Sequence, residues 1–211
     1  MKLIPPSFEI LYPDIAGWRF MPQRIELAAR TCYKSEDRAA PGSAEKLVRK
    51  LVESGHHAML EHGGDISVKF VVDRGVSHEI VRHRLCAFAQ ESTRYCNYSK
   101  DKFGNEVTFI DATLHLPEIV HPQWLTALGE AEQTYLRLLN NGVTPQMARS
   151  VLPNALKTEI VVTANPREWR HIFELRTAEA AHPQMREVMR PLLAEFRRRV
   201  PVLFDDVGVV A

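Results

Sequence analysis

A mixed α/β fold, rich in helix and carrying a small sheet, is the class this sequence predicts. Three observations point there. Apolar residues recur at three- and four-residue spacing through 122–141 and 183–200, the pattern of core-facing helices. Residues 65–73 alternate instead, placing Ile66, Val68, Phe70 and Val72 on one face of a strand. The 211 residues hold no internal repeat, low-complexity tract or Gly/Ser linker, and their prolines are scattered, so a single domain over 1–211 is expected.

Taken in order, residues 22–33 and 43–54 read as helices. The second has Ser43 as its N-cap, Leu47, Val48 and Leu51 as its apolar face and Gly55 as its stop. After the 65–73 strand, Gly75 opens a short helix through VSHEIVRHR, and residues 106–111 form a weaker strand candidate. The 122–141 helix aligns Trp124, Leu128, Ala131, Tyr135 and Leu138. Thr144 and Pro145, an N-cap and first-turn pair, begin a helix that runs to about Leu152. Residues 156–164 fit either a strand or an extension of helix, because their periodicity does not decide. Asn165 and Pro166 start a helix bearing Trp169, Ile172 and Phe173. The last helix, from Pro183 to about Val200, lines up Met185, Val188, Met189, Leu192, Leu193, Phe196 and Val200 as core. Its other face, with Arg186, Arg190, Glu195, Arg197 and Arg198, reads as a solvated surface.

Composition excludes several function classes. The 27 basic and 26 acidic side chains nearly cancel, which argues against a nucleic-acid coat protein or a polybasic membrane binder. No apolar stretch approaches the ~20 residues that span a bilayer, and the start, MKLIPPSFEI, lacks the apolar core of a signal peptide. Cys32, Cys86 and Cys96 are odd in number and form no CxxC pair, so they read as free thiols in a reducing, cytoplasmic compartment.

The chemistry concentrates in RHRLCAFAQESTRY, residues 82–95. Arg82, His83 and Arg84 stand in succession, and on a helix end they would fan out about 100° apart, ready for several anionic oxygens. After an uncharged run, Gln90, Glu91, Ser92, Thr93 and Arg94 lack helical periodicity and read as a loop. Hydroxyls, free backbone N–H groups and an arginine suit such a loop to phosphate, and arginine favours two-pronged contact.

This spacing (Arg-His-Arg, seven residues, Ser, one residue, Arg-Tyr) resembles the signature of the flavin-dependent thymidylate synthases. AARTCY at 28–33, GHHAMLEH at 55–62, MARSVLP at 147–153 and NPREWRHIFELR at 165–176 extend the resemblance over most of residues 28–190. It implies a helix-rich fold with a small, mostly antiparallel sheet, and methylation of dUMP to dTMP. Methylenetetrahydrofolate would donate the carbon, and FAD reduced by NADPH would donate the hydride. It implies FAD contacts from Arg82, His83, Arg84, Gln90, Asn165, Arg167, His171 and the segment around Ala58. The nucleotide would be held by Glu79, Arg82, Gln90, Glu91, Ser92, Thr93, Arg94 and Arg149, with Arg176 catalytic against the uracil. A homotetramer with active sites shared between subunits is implied as well. Three positions depart from the commonest family pattern: Gln90 where Glu is frequent, Ala89 where Asn is frequent, and Glu79 where Gln occurs.

Arg176 also stands out on its own. It falls at i+7 from Trp169, i+4 from Ile172 and i+3 from Phe173, which aligns a permanent cation with an apolar stripe, where it needs a partner. A cation at the core edge, or one paired with Glu26, Glu168 or another acid, is the structural alternative. His56, His57, Glu61 and His62 do not match HExxH spacing and the cysteines form no zinc pattern, so no metal site is expected. Cys86 reads as a small buried hydrophobe, and Arg30 and Cys32 as a helix end. His115, His121 and His182 read as surface or capping residues. The competing functions are methylation of UMP by the same chemistry, a non-catalytic nucleotide-binding module, and a metal-dependent hydrolase centred on His57 and His62.

Overall fold

Alternation and helical periodicity set most of the elements in the computed structural model, which describes residues 1–208. The strands are β1 (Lys2–Ile4), β2 (Ser7–Tyr12), β3 (Ile66–Asp73), β4 (Ala87–Gln90), β5 (Thr108–Ile110) and β6 (Lys157–Ala164). The helices are α1 (Ile15–Tyr33), α2 (Ser43–Glu53), α3 (Arg74–Ile80), α4 (His121–Asn140), α5 (Pro145–Ala148), α6 (Pro166–Arg176), α7 (Pro183–Arg199) and α8 (Pro201–Phe204). Single 3₁₀ turns punctuate the connections, the longest of them His57–Gly63. The result is the helix-rich α/β class with a small sheet.

Four strands pair in the order β2-β3-β6-β4, and β1 pairs in parallel with β5, Lys2 opposite Thr108. The two long strands run in opposite directions. The Ser67 hydroxyl meets that of Thr163 at 2.8 Å, whereas at the other end the Arg74 N–H donates to the carbonyls of Asn154 and Leu156. Burial alternates along both: Ile66, Val68, Phe70 and Val72 in β3, and Thr158, Ile160, Val162 and Ala164 in β6. Residues 157–164 are therefore strand. A β-branched run at period two packs on the pleat, and a helix would scatter it over two faces.

The chain forms two compact units. The first comprises Met1–Ser7, Phe70–Arg82 and Ala89–Ile160; the second comprises Phe8–Lys69, His83–Phe88 and the chain from Val161 onward. The first unit packs Tyr98, Val107, Phe109, Leu128, Tyr135, Ala148 and Leu156 into its core. Its buried Glu132 is satisfied by the Val107 N–H at 2.8 Å and the terminal ammonium of Met1 at 2.9 Å. In the second unit Phe196 meets Trp18, Trp169, Phe173 and Phe204 edge-on, with ring centroids 5.0–5.3 Å apart. The Trp169 indole N–H donates to the Ile66 carbonyl at 3.0 Å, so the largest buried side chain leaves no orphan donor. Every apolar residue expected along α7 is buried, and Arg186, Arg190, Arg198 and Arg199 pair with Glu179 and Glu195; Arg197, expected on the solvated face, is half-buried and donates to the Phe204 and Val207 carbonyls.

Several boundaries differ from expectation. α1 begins at Ile15, because the Asp14 carboxylate accepts the Gly17 N–H at 2.8 Å and starts the helix ahead of Pro22. The N-cap of α2 is Gly42 at φ 78°. Ser43 lies inside the helix, and its hydroxyl bonds to Ala40 and to the Glu26 carboxylate. The helix after Thr144 stops at Ala148 and tightens into a 3₁₀ turn, Arg149–Val151. Strands β1 and β4 have three and four residues and β2 is mostly exposed, so none of them carries the buried alternation that marks β3.

Candidate active site

The 82–95 segment is folded differently from a helix with a loop after it. α3 ends at Ile80, and Arg82, His83 and Arg84 follow in turns, the Arg82 N–H donating to the Glu79 carbonyl at 3.2 Å. Arg82 and Arg84 are exposed, whereas His83 is buried at 5% exposure. The expected fan of three cations is therefore corrected to two cations flanking an inward-turned imidazole. Gln90 ends strand β4 and is not part of the loop; the loop begins at Glu91. It closes on itself through the Tyr95 and Cys96 N–H groups, both of which donate to the Ser92 carbonyl.

In the first unit this loop is pinned from below. Lys157 donates to the Glu91 carboxylate at 3.0 Å, the Tyr98 hydroxyl donates to its other oxygen at 3.0 Å, and Arg74 donates to the Glu91 carbonyl at 3.1 Å. Glu91 is thus occupied in holding the loop. The Gln90 amide NH₂ donates to the buried hydroxyls of Ser77 and Thr158, so both donors of this neutral side chain are partnered. Glu79 is half-buried on α3. Arg94 is exposed and donates to the Gln146 side-chain amide oxygen at 3.2 Å.

The Thr93 side chain is buried and accepts a 2.8 Å hydrogen bond from Arg149. Both line a cavity of about 250 Å³ with Arg74, His78, Ser150, Asn154 and three apolar side chains. Two guanidiniums, an imidazole and a hydroxyl around one small cavity match a phosphate. Arg74 and His78 were not among the residues expected from sequence. The signal was there: on a helix they lie at i and i+4, on one face, opposite the buried Val76 and Ile80.

In the second unit α6 carries most of the remaining residues. Asn165 caps it, its side-chain oxygen accepting the Glu168 N–H at 3.0 Å. Arg167 pairs with Glu61 at 2.6 Å, and both are about half exposed. Arg167, Asn165, His171, His57, Glu61 and Glu174 line a cavity of about 570 Å³. Ala58 is exposed in the 3₁₀ segment beside His57. Flat donors on one helix around a cavity of that size fit the ring edges and phosphates of a flavin nucleotide.

Arg176 ends α6 and is half-buried. Its Nε donates to His83 Nε2 at 3.0 Å, so this cation on the apolar side meets an imidazole. Glu26 is taken by Arg30 and Ser43. Burial, together with the Arg176 and His171 charges, pushes the His83 imidazole down to about 4, so it is neutral at pH 7. Its Nδ1 stands 3.5 Å from the carboxylate of buried Glu168. Burial and Glu168 push the Cys86 thiol up to about 12, which makes it inert as a nucleophile. His182 caps α7 through its ring nitrogen and His121 bonds the Leu116 carbonyl, both structural tasks. Among the described residues, no three His, Cys, Asp or Glu side chains converge as a metal would require. Nor is any helix there long and apolar enough to cross a membrane.

Comparison with known proteins places the chain in a family. The family model described as thymidylate synthase complementing protein matches residues 18–202. A flavin-dependent thymidylate synthase of Corynebacterium aurimucosum is 35% identical, covering 88% of this chain and 79% of its own length. The enzyme of the same name from Corynebacterium glutamicum is 33% identical, covering 97% and 86%. Among solved structures, PolB, a UMP/dUMP methylase from Streptomyces cacaoi bound with 5-Br dUMP, superposes with a TM-score of 0.78 at 24% identity, covering 97% of this chain and 96% of that one. With the family model spanning residues 18–202 and relatives above 30% identity over most of the chain, this chain belongs to the thymidylate synthase complementing protein family, whose relatives here are named flavin-dependent thymidylate synthases.

Proposed function

We propose that this chain, acting as one catalytic domain, is an FAD-dependent thymidylate synthase that converts dUMP to dTMP. Methylenetetrahydrofolate supplies the one-carbon unit, NADPH supplies the electrons, and the bound flavin supplies hydride chemistry that side chains lack. The observation that carries the reading is the anion cavity at the end of the motif, where Arg74 and Arg149 face the buried Thr93 hydroxyl.

Each group has a task in this reading. Arg74, Arg149, Ser92, Thr93 and Arg94 hold the nucleotide phosphate, with Arg82 and Glu79 beside it. Gln90 contributes its amide carbonyl to the ligands while its NH₂ stays on Ser77 and Thr158. His171, Arg167, Asn165, Arg82, Arg84 and the backbone near Ala58 orient the flavin. Arg176 is aimed at the uracil, where a guanidinium stabilises charge that develops on the ring as C5 becomes nucleophilic. His83 holds Arg176 in that direction and, being neutral, adds no competing charge. No thiol adduct is required. The enzyme is cytoplasmic and homotetrameric, with sites completed by neighbouring subunits.

Purified protein reconstituted with FAD is expected to show a flavin spectrum that NADPH bleaches, and to form dTMP from dUMP and methylenetetrahydrofolate. UMP, which the PolB comparison makes the second nucleotide to assay, should turn over more slowly. Absence of FAD binding at micromolar concentration would overturn the proposal. Faster turnover of UMP would move the substrate to the ribonucleotide.

A further inference from the structure

We infer that Glu168 is a positioning residue for Arg176, acting through the tautomer of His83. The inference rests on the reading of Arg176 given above. A guanidinium has only donors, so the Arg176 Nε–H at 3.0 Å requires a lone pair on His83 Nε2. A neutral imidazole with its lone pair there carries its proton on Nδ1, and the atom facing Nδ1 is Glu168 Oε1 at 3.5 Å. The other tautomer would set Nε2–H against Arg176 N–H, and the Nδ1 lone pair against a carboxylate. Both contacts would turn repulsive, so the carboxylate selects the tautomer and the tautomer holds the guanidinium.

Helix geometry explains why an intermediary is used. Glu168 and Arg176 both lie on α6, eight residues and therefore about 12 Å of rise apart, too far to touch. His83, entering from the turn after α3, bridges the two. Glu168 also stands in the first turn of α6, where a carboxylate favours the helix N-terminus, and on the wall of the cavity of about 570 Å³. It is 6% exposed, and among the described residues no lysine or arginine forms an ion pair with it. Its other close neighbour is the Cys86 thiol at 4.0 Å, a weak donor. Burying a carboxylate against an imidazole and a thiol is unfavourable for stability compared with an apolar side chain of that size. Orientation of His83 is the return that the geometry shows. Arg167 and His171 act on Glu168 only through their longer-range fields.

The experiment uses the FAD-loaded full chain with ¹⁵N-labelled histidine. At pH 7, long-range nitrogen–proton spectra are expected to assign His83 as the Nδ1–H tautomer. Glu168→Leu should convert it to a mixture and lower kcat for dUMP by roughly ten- to hundredfold, the range seen when an orienting partner is lost. The loss of kcat is expected to persist at saturating FAD, which separates it from weakened flavin binding by this cavity-lining residue. Glu168→Gln, which keeps an acceptor oxygen, should recover part of that loss. An Nε2–H tautomer in the unmodified protein overturns the inference outright, and this decides the matter even if Glu168→Leu does not fold. Unchanged tautomer and kcat in Glu168→Leu overturn it equally. Failure of the underlying reading looks different: Arg176→Ala would then turn over dUMP at the unmodified rate, while the Glu168-dependent tautomer would persist in the resting protein.

Discussion

Single side chains in this protein take their chemistry from neighbours distant in sequence, and Cys96 shows the consequence. By position, two residues after Arg94, its thiol has the electropositive setting that lowers a thiol pKa. In the fold it faces Glu91, and burial with that carboxylate raises the thiol above its ordinary value, against the weaker pull of Lys102 and Lys157. A thiol so placed is mostly protonated at pH 7 and a poor nucleophile. Cys96→Ala is therefore expected to keep dUMP turnover within about tenfold, a barrier change of roughly 1.4 kcal/mol or less. A loss of several orders of magnitude, with flavin and nucleotide still bound, would instead place covalent cysteine chemistry in the mechanism. Arg74 and His78 carry the converse lesson. They lie before the motif and were overlooked as site residues, yet they share a cavity with Arg149, more than seventy residues later in the chain.

Elements with strong periodicity behave as their pattern dictates, and α7 is the clearest. Its stripe is buried throughout, and Phe196 at its centre touches four other aromatic rings. Phe196→Ala removes those contacts in a site whose large neighbours cannot all collapse inward. The expected loss of unfolding free energy is about 3–5 kcal/mol. Denaturant titration would register it as a lower midpoint with an unchanged slope; a loss below about 1 kcal/mol would mean that the cluster repacks. Weakly patterned elements follow other rules. β4 lies in the uncharged run after the Arg-His-Arg triplet. Its four residues pair in the sheet beside β6, and that pairing makes Gln90 a strand residue held by Ser77 and Thr158.

At the scale of the whole molecule, the residues assigned to the nucleotide fall mainly in the first compact unit and those assigned to the flavin mainly in the second. Arg82 and Gln90, assigned to both ligands, belong to the first, and Arg176 to the second. If sites are completed by neighbouring subunits, as proposed, turnover per chain depends on assembly. In a dilution series followed by sedimentation, specific activity is expected to fall as the oligomer dissociates and to return on concentration. A monomer with full specific activity would rule out shared sites.

The sequence by itself determined the helix-rich class, the faces of β3, α4, α6 and α7, and the motif segments that identify the family. Those features are local: side-chain periodicity follows from 3.6 residues per turn or two per pleat, and a motif is a spacing along the chain. Only the tertiary structure decided that residues 157–164 are strand, since pairing with β3 supplies hydrogen bonds that periodicity cannot reveal. It also decided that His83 turns inward as a neutral imidazole between Glu168 and Arg176, and that Glu91 is spent on Lys157 and Tyr98. The pairs Glu91–Lys157 and His83–Arg176 are 66 and 93 positions apart, and burial and protonation follow from such partners. No window along the chain contains both members of such a pair.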